Sequence, residues 1–158
     1  MAEALKHLIG PHTACDTADA VARVWDPFDR DAFIAEVLPA LDAFELMQRG
    51  QCIADALRRY LPDDFERAAT ILHACLPTPE PPGLSGWALL SFNQFIADHG
   101  RGHLDTALAL LKALTPHFTA EFGIRPFIAD EQDEALAIIA TWTTDSDHHV
   151  RRLASEGT

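Results

Sequence analysis

The sequence predicts an all-α protein, a right-handed α-solenoid of stacked antiparallel helix pairs. Apolar residues recur at spacings of three and four in successive windows, which is the period of one helix face. Short turn-forming stretches separate these windows, and the alternation typical of strands never lasts more than a few residues. We expect residues 1–158 to form a single helical domain.

Five stretches have the apolar spacing of an amphipathic helix. They cover residues 33–44, 53–61, 65–76, 104–114 and 135–142. Aspartates and serines in the turns between them, as at 62–64 and 144–147, are typical N-caps. Their side-chain oxygens accept hydrogen bonds from the free N–H groups at a helix start.

One proline-rich segment interrupts the helical pattern. Residues 77–86 contain four prolines and two glycines, which exclude a regular helix or a central strand. The segment is either a linker between domains or a stiff loop inside one domain. The loop is favoured, because the amphipathic helices on both sides each need a packing partner.

The composition narrows the functional classes. No apolar run approaches the roughly 18–20 residues that span a membrane, and the N-terminus lacks the pattern of a signal peptide. Cys15, Cys52 and Cys75 fit reduced thiols in the cytosol. The formal net charge of −12 argues against a strong general affinity for nucleic acid, although a local basic patch is compatible with it.

A short segment near the C-terminus indicates the kind of solenoid. Residues 145–154 combine acidic caps, a valine, two arginines and an alanine in the order typical of the second helix of a HEAT repeat. The aspartates cap the helix, the valine and alanine pack between repeats, and an arginine reaches the neighbouring turn. Stacked HEAT pairs form a superhelix.

Metal and nucleotide sites are not expected. His99 and His103 are four residues apart, but Gly100 and Gly102 interrupt a helix that would align them, and no cysteine lies near. His148 and His149 are adjacent and point to different faces. The sequence also lacks a phosphate-binding loop, a dinucleotide fingerprint and a nucleophile motif.

Two segments, residues 118–127 and 149–158, resemble signature regions of AlkC-type DNA alkylation repair proteins. Residues 41–47, 53–57 and 87–92 resemble the same family more loosely. The resemblance implies a HEAT-like DNA glycosylase that excises cationic N-alkylated bases, such as 3-methyladenine, from double-stranded DNA without a metal or organic cofactor. It further implies a protein of the bacterial-type cytosol, associated with the nucleoid.

Members of that family continue beyond the point where this sequence stops. We therefore expect the chain to be the N-terminal part of a longer solenoid. A solenoid without its terminal cap exposes an apolar end face, which predicts self-association through the C-terminal helices.

The same resemblance selects the candidate site residues. Because a cationic base leaves without a proton, the chemistry mainly requires a carboxylate that stabilises positive charge on the sugar. Glu121 and Glu156 are the candidate acids; the alternatives are a capping glutamate and an exposed residue on a frayed tail.

Three arginines are candidates for binding DNA phosphates, namely Arg125, Arg151 and Arg152. For one of Arg151 and Arg152 we expect instead a structural role near the Asp145 or Asp147 caps. Trp87 and Trp142 are predicted to be core residues. The alternatives for the function are a HEAT-like interaction scaffold without catalysis and an inactive, truncated fragment of a longer protein.

Overall fold

A computed structural model describes residues 2–78 and 83–158. The helices in these ranges are α1 Ala2–Lys6, α2 Pro11–Val24, α3 Arg30–Leu41, α4 Leu46–Tyr60, α5 Phe65–Ala74, α6 Leu89–His99, α7 Leu104–Leu114, α8 Glu121–Asp130, α9 Gln132–Ala140 and α10 His148–Glu156. Short 3₁₀ turns cover Gly86–Ala88 and Thr141–Thr144. The described residues include no strand, so the all-α prediction is confirmed. None of these helices combines the length and the apolar character that crossing a membrane demands.

The predicted aspartate caps are present at two helix starts. The Asp64 carboxylate accepts a hydrogen bond from the Glu66 N–H (3.0 Å) at the start of α5. Asp147 accepts one from the His149 N–H (2.8 Å) at the start of α10. The central part of the proline-rich loop, residues 79–82, lies outside the described residues, and the choice between loop and linker stays a prediction.

Helix α3 ends earlier than its apolar spacing predicts. It stops at Leu41, and Phe44 lies in the turn before α4 rather than on the helix face. The Phe44 carbonyl instead accepts a hydrogen bond from the Arg49 side chain (2.8 Å). The turn and the start of α4 are thereby joined.

Helix contacts alternate along the chain. Helices α4, α6 and α8 pack side by side in one row, and in a second row α7 contacts α5 on one side and α9 on the other. Packing of every second helix is the arrangement of helical-repeat proteins, in which each pair stacks on the next. The right-handed superhelix and the single-domain boundary stay predictions.

Helix α6 lies at the centre of this packing. It contacts α4 and α8 on its two sides and α7 as well. Its buried side chains include Leu89, Leu90, Phe92, Phe95 and Ile96. A helix that is surrounded in this way is apolar on nearly all faces, which is why the five amphipathic windows did not include it.

The two tryptophans that were predicted to be core residues differ in burial. Trp142 is 2 % exposed and belongs to the core. Trp87 is only partly buried, and its ring lies 5.1 Å from that of Phe118, measured between centroids. Trp87 thus packs on the edge of the core, beside the turn that leads into α8.

Candidate active site

A cleft of about 260 Å³ lies between the turn before α8 and the start of α10. The backbone segment 115–119 forms one wall. Glu121 enters from α8, while His149, Arg152 and Leu153 line the cleft from α10. One carboxylate, one guanidinium and the imidazoles of His117 and His149 therefore line a small cleft together with the apolar side chains of Phe118 and Leu153.

Glu121 is the first residue of α8 and is half-buried. Its backbone N–H donates to the Thr119 hydroxyl at 3.3 Å. Its carboxylate makes no side-chain hydrogen bond or ion pair within the described part of the chain. A helix N-terminus favours a negative charge, because the free N–H groups there carry partial positive charge. The Glu121 oxygens thus remain available to a ligand at the cleft.

Arg152 and Glu156 form an exposed ion pair one helical turn apart. The distance from Arg152 Nε to Glu156 Oε2 is 2.8 Å. This hydrogen bond is the main cause that raises the pKa of Arg152, with smaller contributions from the charges of Glu156 and Glu121. Both predicted acids therefore act on the same guanidinium at the cleft.

Arg151 is not part of the group formed by Glu121, Arg152 and Glu156. Its Nη1 donates to the backbone carbonyls of Asp145 (2.6 Å) and Ser146 (3.0 Å), so it holds the turn that precedes α10. We expected the structural arginine to lie near the cap carboxylates of Asp145 or Asp147. The Asp145 carboxylate instead pairs with Lys112 at 3.2 Å. Hydrogen bonding from the Asp147 N–H, followed by that from Lys112, lowers the pKa of Asp145.

Arg125 lies on the exposed side of α8. Its guanidinium makes no hydrogen bond or ion pair with any residue in the described ranges. The five candidate residues thus separate into three groups. Glu121 and Arg152 line the cleft, and Glu156 is held beside it by its ion pair with Arg152. Arg151 binds the turn, and Arg125 lies apart on the surface.

His117 and His149 line this cleft, although neither was predicted as a site residue. His149 was considered only as a metal ligand, although its spacing of three from Arg152 places both on one helix face. His117 follows Pro116 in the turn after α7, and only the folded chain brings it to α10.

The histidines first considered for a metal have other contacts. His103 Nδ1 lies 3.0 Å from Glu66 Oε1, and His99 packs its ring 4.9 Å from that of Phe95. Burial, the largest cause, lowers the pKa of His99. Among the described residues, no group of three or more His, Cys, Asp or Glu side chains could hold a metal ion.

Helix α10 presents a polar surface to solvent. It buries Val150, Leu153 and Ala154, whereas its histidines and arginines are exposed. The large apolar side chains that are exposed in the described ranges belong to Leu5, Leu8, Met47 and Phe122. Helix α10 therefore lacks the apolar end face from which self-association was argued, and self-association stays a prediction.

The fold and the cleft define a class of protein, a helical-repeat chain with paired acidic and basic groups near one end. No protein-family model matches the sequence. The alkylpurine DNA glycosylase AlkC of Pseudomonas fluorescens, in a structure bound to DNA containing an abasic-site analogue, has the same fold, with a TM-score of 0.85. The two sequences are 31 % identical, over 97 % of this chain and 42 % of that one.

A second relative is the uncharacterized protein YhaZ of Bacillus subtilis. It is 29 % identical over 157 residues, which are 97 % of this chain and 42 % of YhaZ. This chain thus spans about two fifths of the length of both proteins. The resemblance to AlkC-type proteins is confirmed by the shared fold and by the identity over nearly the whole chain.

Proposed function

We propose that this chain acts in DNA repair, in the excision of cationic N-alkylated bases such as 3-methyladenine from double-stranded DNA. The observation that carries the proposal is the cleft that Glu121 shares with Arg152, the ion-pair partner of Glu156, in a chain with the fold of AlkC. The cleft is open to solvent, as binding of a DNA strand requires. The proposal places the protein at the nucleoid, in a bacterial-type cytosol.

The chemistry is hydrolysis of the N-glycosidic bond. The bond electrons leave with the alkylated base, which becomes neutral, and positive charge develops on the sugar. Glu121 stabilises that charge by electrostatic attraction, because its carboxylate is held at the cleft with no competing side-chain partner. A water molecule then adds to the anomeric carbon, and a carboxylate accepts its proton.

Arg152 and Glu156 act together in this proposal. Arg152 is exposed at the cleft and can exchange its carboxylate partner for a DNA phosphate. Glu156 then loses its ion-pair partner and becomes the second carboxylate near the sugar. Arg125 binds a phosphate further along the strand, because its guanidinium is exposed and unpaired within the described residues. Arg151 stabilises the turn before α10.

The net charge of −12 favours a second candidate, an interaction scaffold without catalysis. Such a chain is repelled by DNA at long range, whereas a repair protein needs phosphate contacts that depend steeply on salt. The two functions therefore differ in DNA binding at low ionic strength.

The experiment combines binding and base release. The chain is titrated with methylated and unmethylated duplex DNA at several salt concentrations, and released 3-methyladenine is measured by chromatography. We expect binding that weakens with salt and release from the methylated duplex alone. Absence of binding at low salt, together with absence of release, would support the scaffold.

A further inference from the structure

Asn93 is a fully buried polar residue in the central helix α6. Its exposed fraction is 0 %, and the residues buried around it on α6 are mostly apolar. Burying an amide is unfavourable unless its donors and acceptor find partners. The partners of Asn93 therefore indicate what the residue does.

The side chain of Asn93 makes three hydrogen bonds. Its Nδ2 donates to the Leu89 carbonyl (3.1 Å) within α6 and to the Thr119 carbonyl (3.2 Å). Its Oδ1 accepts from the Gly123 N–H at 3.0 Å. Two of the three bonds thus leave α6 and reach the start of α8.

These two bonds lie on either side of Glu121 in the sequence. The N-cap position of α8 is Ala120, which has no side chain that could cap the helix. Free N–H groups at a helix start need an acceptor. The Gly123 N–H already donates to the Ala120 carbonyl (3.0 Å), and Asn93 supplies a second acceptor from the neighbouring helix. Asn93 also holds the Thr119 carbonyl just before the helix.

The close approach depends on Gly123. A Cβ at this position would lie 2.4 Å from Leu111 Cδ2 and 2.7 Å from Asn93 Oδ1. Such contacts are shorter than packed atoms allow, so a larger residue would push α8 away from Asn93. The hydrogen bond between α6 and α8 therefore needs both the glycine at position 123 and the buried amide of Asn93.

We propose that Asn93 is a positioning residue that fixes the Glu121 carboxylate at the cleft. The inference rests on the proposed function, because it assigns to Asn93 the placement of the charge that the reaction needs. Asn93 lies inside the core and acts through the backbone of residues 119–123, which carries Glu121.

The test measures how well the cleft distinguishes a cationic sugar from a neutral one. Dissociation constants are determined for duplex DNA with a positively charged pyrrolidine abasic analogue and with a neutral tetrahydrofuran analogue. The ratio of the two constants reports the placement of the carboxylate and needs no catalytic turnover. For the wild type we expect a preference of about tenfold for the cationic analogue, since one well-placed carboxylate supplies an attraction of that order.

Four single variants and one double variant are compared, each after circular dichroism has shown a folded helical protein. Asn93→Leu keeps the branched shape in a somewhat larger, apolar side chain and removes the hydrogen bonds. Asn93→Ser introduces a smaller polar side chain, for the case in which the leucine variant does not fold. Glu121→Gln removes the charge. Ser91→Ala is the matched control, because Ser91 is 1 % exposed on the same helix and bonds only the Ala88 carbonyl (2.8 Å).

We expect Asn93→Ser and Asn93→Leu to lower the preference to that of Glu121→Gln, and Ser91→Ala to retain it. The double variant Asn93→Ser/Glu121→Gln should match Glu121→Gln alone, since Asn93 acts through that carboxylate. A further fall in the double variant would contradict this route.

The role of Asn93 is overturned if folded Asn93→Ser keeps the wild-type preference for the cationic analogue while Glu121→Gln has lost that preference. The proposed function is not affected by this result. If Glu121→Gln itself keeps the wild-type preference, the role of Glu121 in the proposed function is wrong. The two failures are therefore distinguishable.

Discussion

Glu66 and Glu121 are both glutamates with histidines nearby, but their surroundings differ. On the outside of α5 and α7, Glu66 Oε2 accepts from the Thr106 hydroxyl (2.6 Å), and Glu66 Oε1 lies 3.0 Å from His103 Nδ1. The Thr106 bond and then the His103 bond lower the pKa of Glu66. The oxygens of Glu121 have no such side-chain partner in the described residues.

Cavity size does not explain why Glu121, rather than Glu66, is the candidate acid, because the larger cavity lies beside Glu66. A groove beside Glu66 has a volume of about 650 Å³, whereas the cleft at Glu121 has about 260 Å³. The difference lies in the partners, because the fold satisfies Glu66 and leaves Glu121 available to a ligand. The following experiments test this contrast between the Glu66 groove and the Glu121 cleft.

The largest expected effect concerns the glycines that adjoin the two places. Gly123→Ala should lower the free energy of unfolding by about 2–3 kcal/mol, since its Cβ would collide with Leu111 and Asn93. Gly102→Ala, next to His103, should cost about 1 kcal/mol, because Gly102 has a φ of +86° and open space around it. Urea unfolding measures both, and a greater loss in Gly102→Ala would contradict the close packing behind Glu121.

A smaller effect distinguishes the two neighbouring arginines. Arg151→Ala should lower the free energy of unfolding by about 1 kcal/mol, because two backbone carbonyls lose a donor. Arg152→Ala should leave stability near the wild type, since its ion pair is exposed.

DNA binding should show the reverse order for the same two variants. Arg152→Ala should weaken binding and reduce the salt slope by about 1, the change expected for one lost phosphate contact. Arg151→Ala should bind DNA as the wild type does. If the salt dependence of DNA binding in Arg152→Ala has the same slope as in Arg151→Ala and the wild type, Arg152 contacts no phosphate.

The smallest expected effect is the pH dependence of the Glu66 contact. The folded-state pKa of Glu66 is lowered, so its contribution to stability is present above the unfolded-state pKa and is lost as the pH falls through the folded value. The wild type should therefore have a higher Tm than Glu66→Gln at pH 7, and the difference should shrink towards pH 3. A difference that grows in acid would contradict the hydrogen bonds at Glu66.

Most of the helices could be predicted from the sequence. The helices around 53–61, 65–76 and 104–114 were predicted because each has one apolar face and the opposite face is polar. Helix α6 lacks that contrast, because neighbours surround it. Helix α2 buries mainly alanines and threonines, which are weak signals of a core face.

The site was predictable in part. The pairing of Arg152 with Glu156 follows from their spacing of four on a helix. The meeting of this pair with Glu121 depends on how α8 and α10 pack, which no local pattern contains. The contact of Asn93 with residues 119 and 123 joins positions about 30 apart, and the carbonyl bonds of Arg151 require the geometry of the turn.

The most direct test of the contrast between Glu121 and Glu66 is the single-turnover rate of 3-methyladenine release from methylated duplex DNA. Glu121→Gln should lower this rate by about 100-fold or more, since it removes the charge that stabilises the transition state in the proposed mechanism. Glu66→Gln should stay within about twofold of the wild type, because its carboxylate serves only the fold. A wild-type rate in Glu121→Gln, or an equal loss in Glu66→Gln, would contradict the assignment of Glu121 as the catalytic carboxylate.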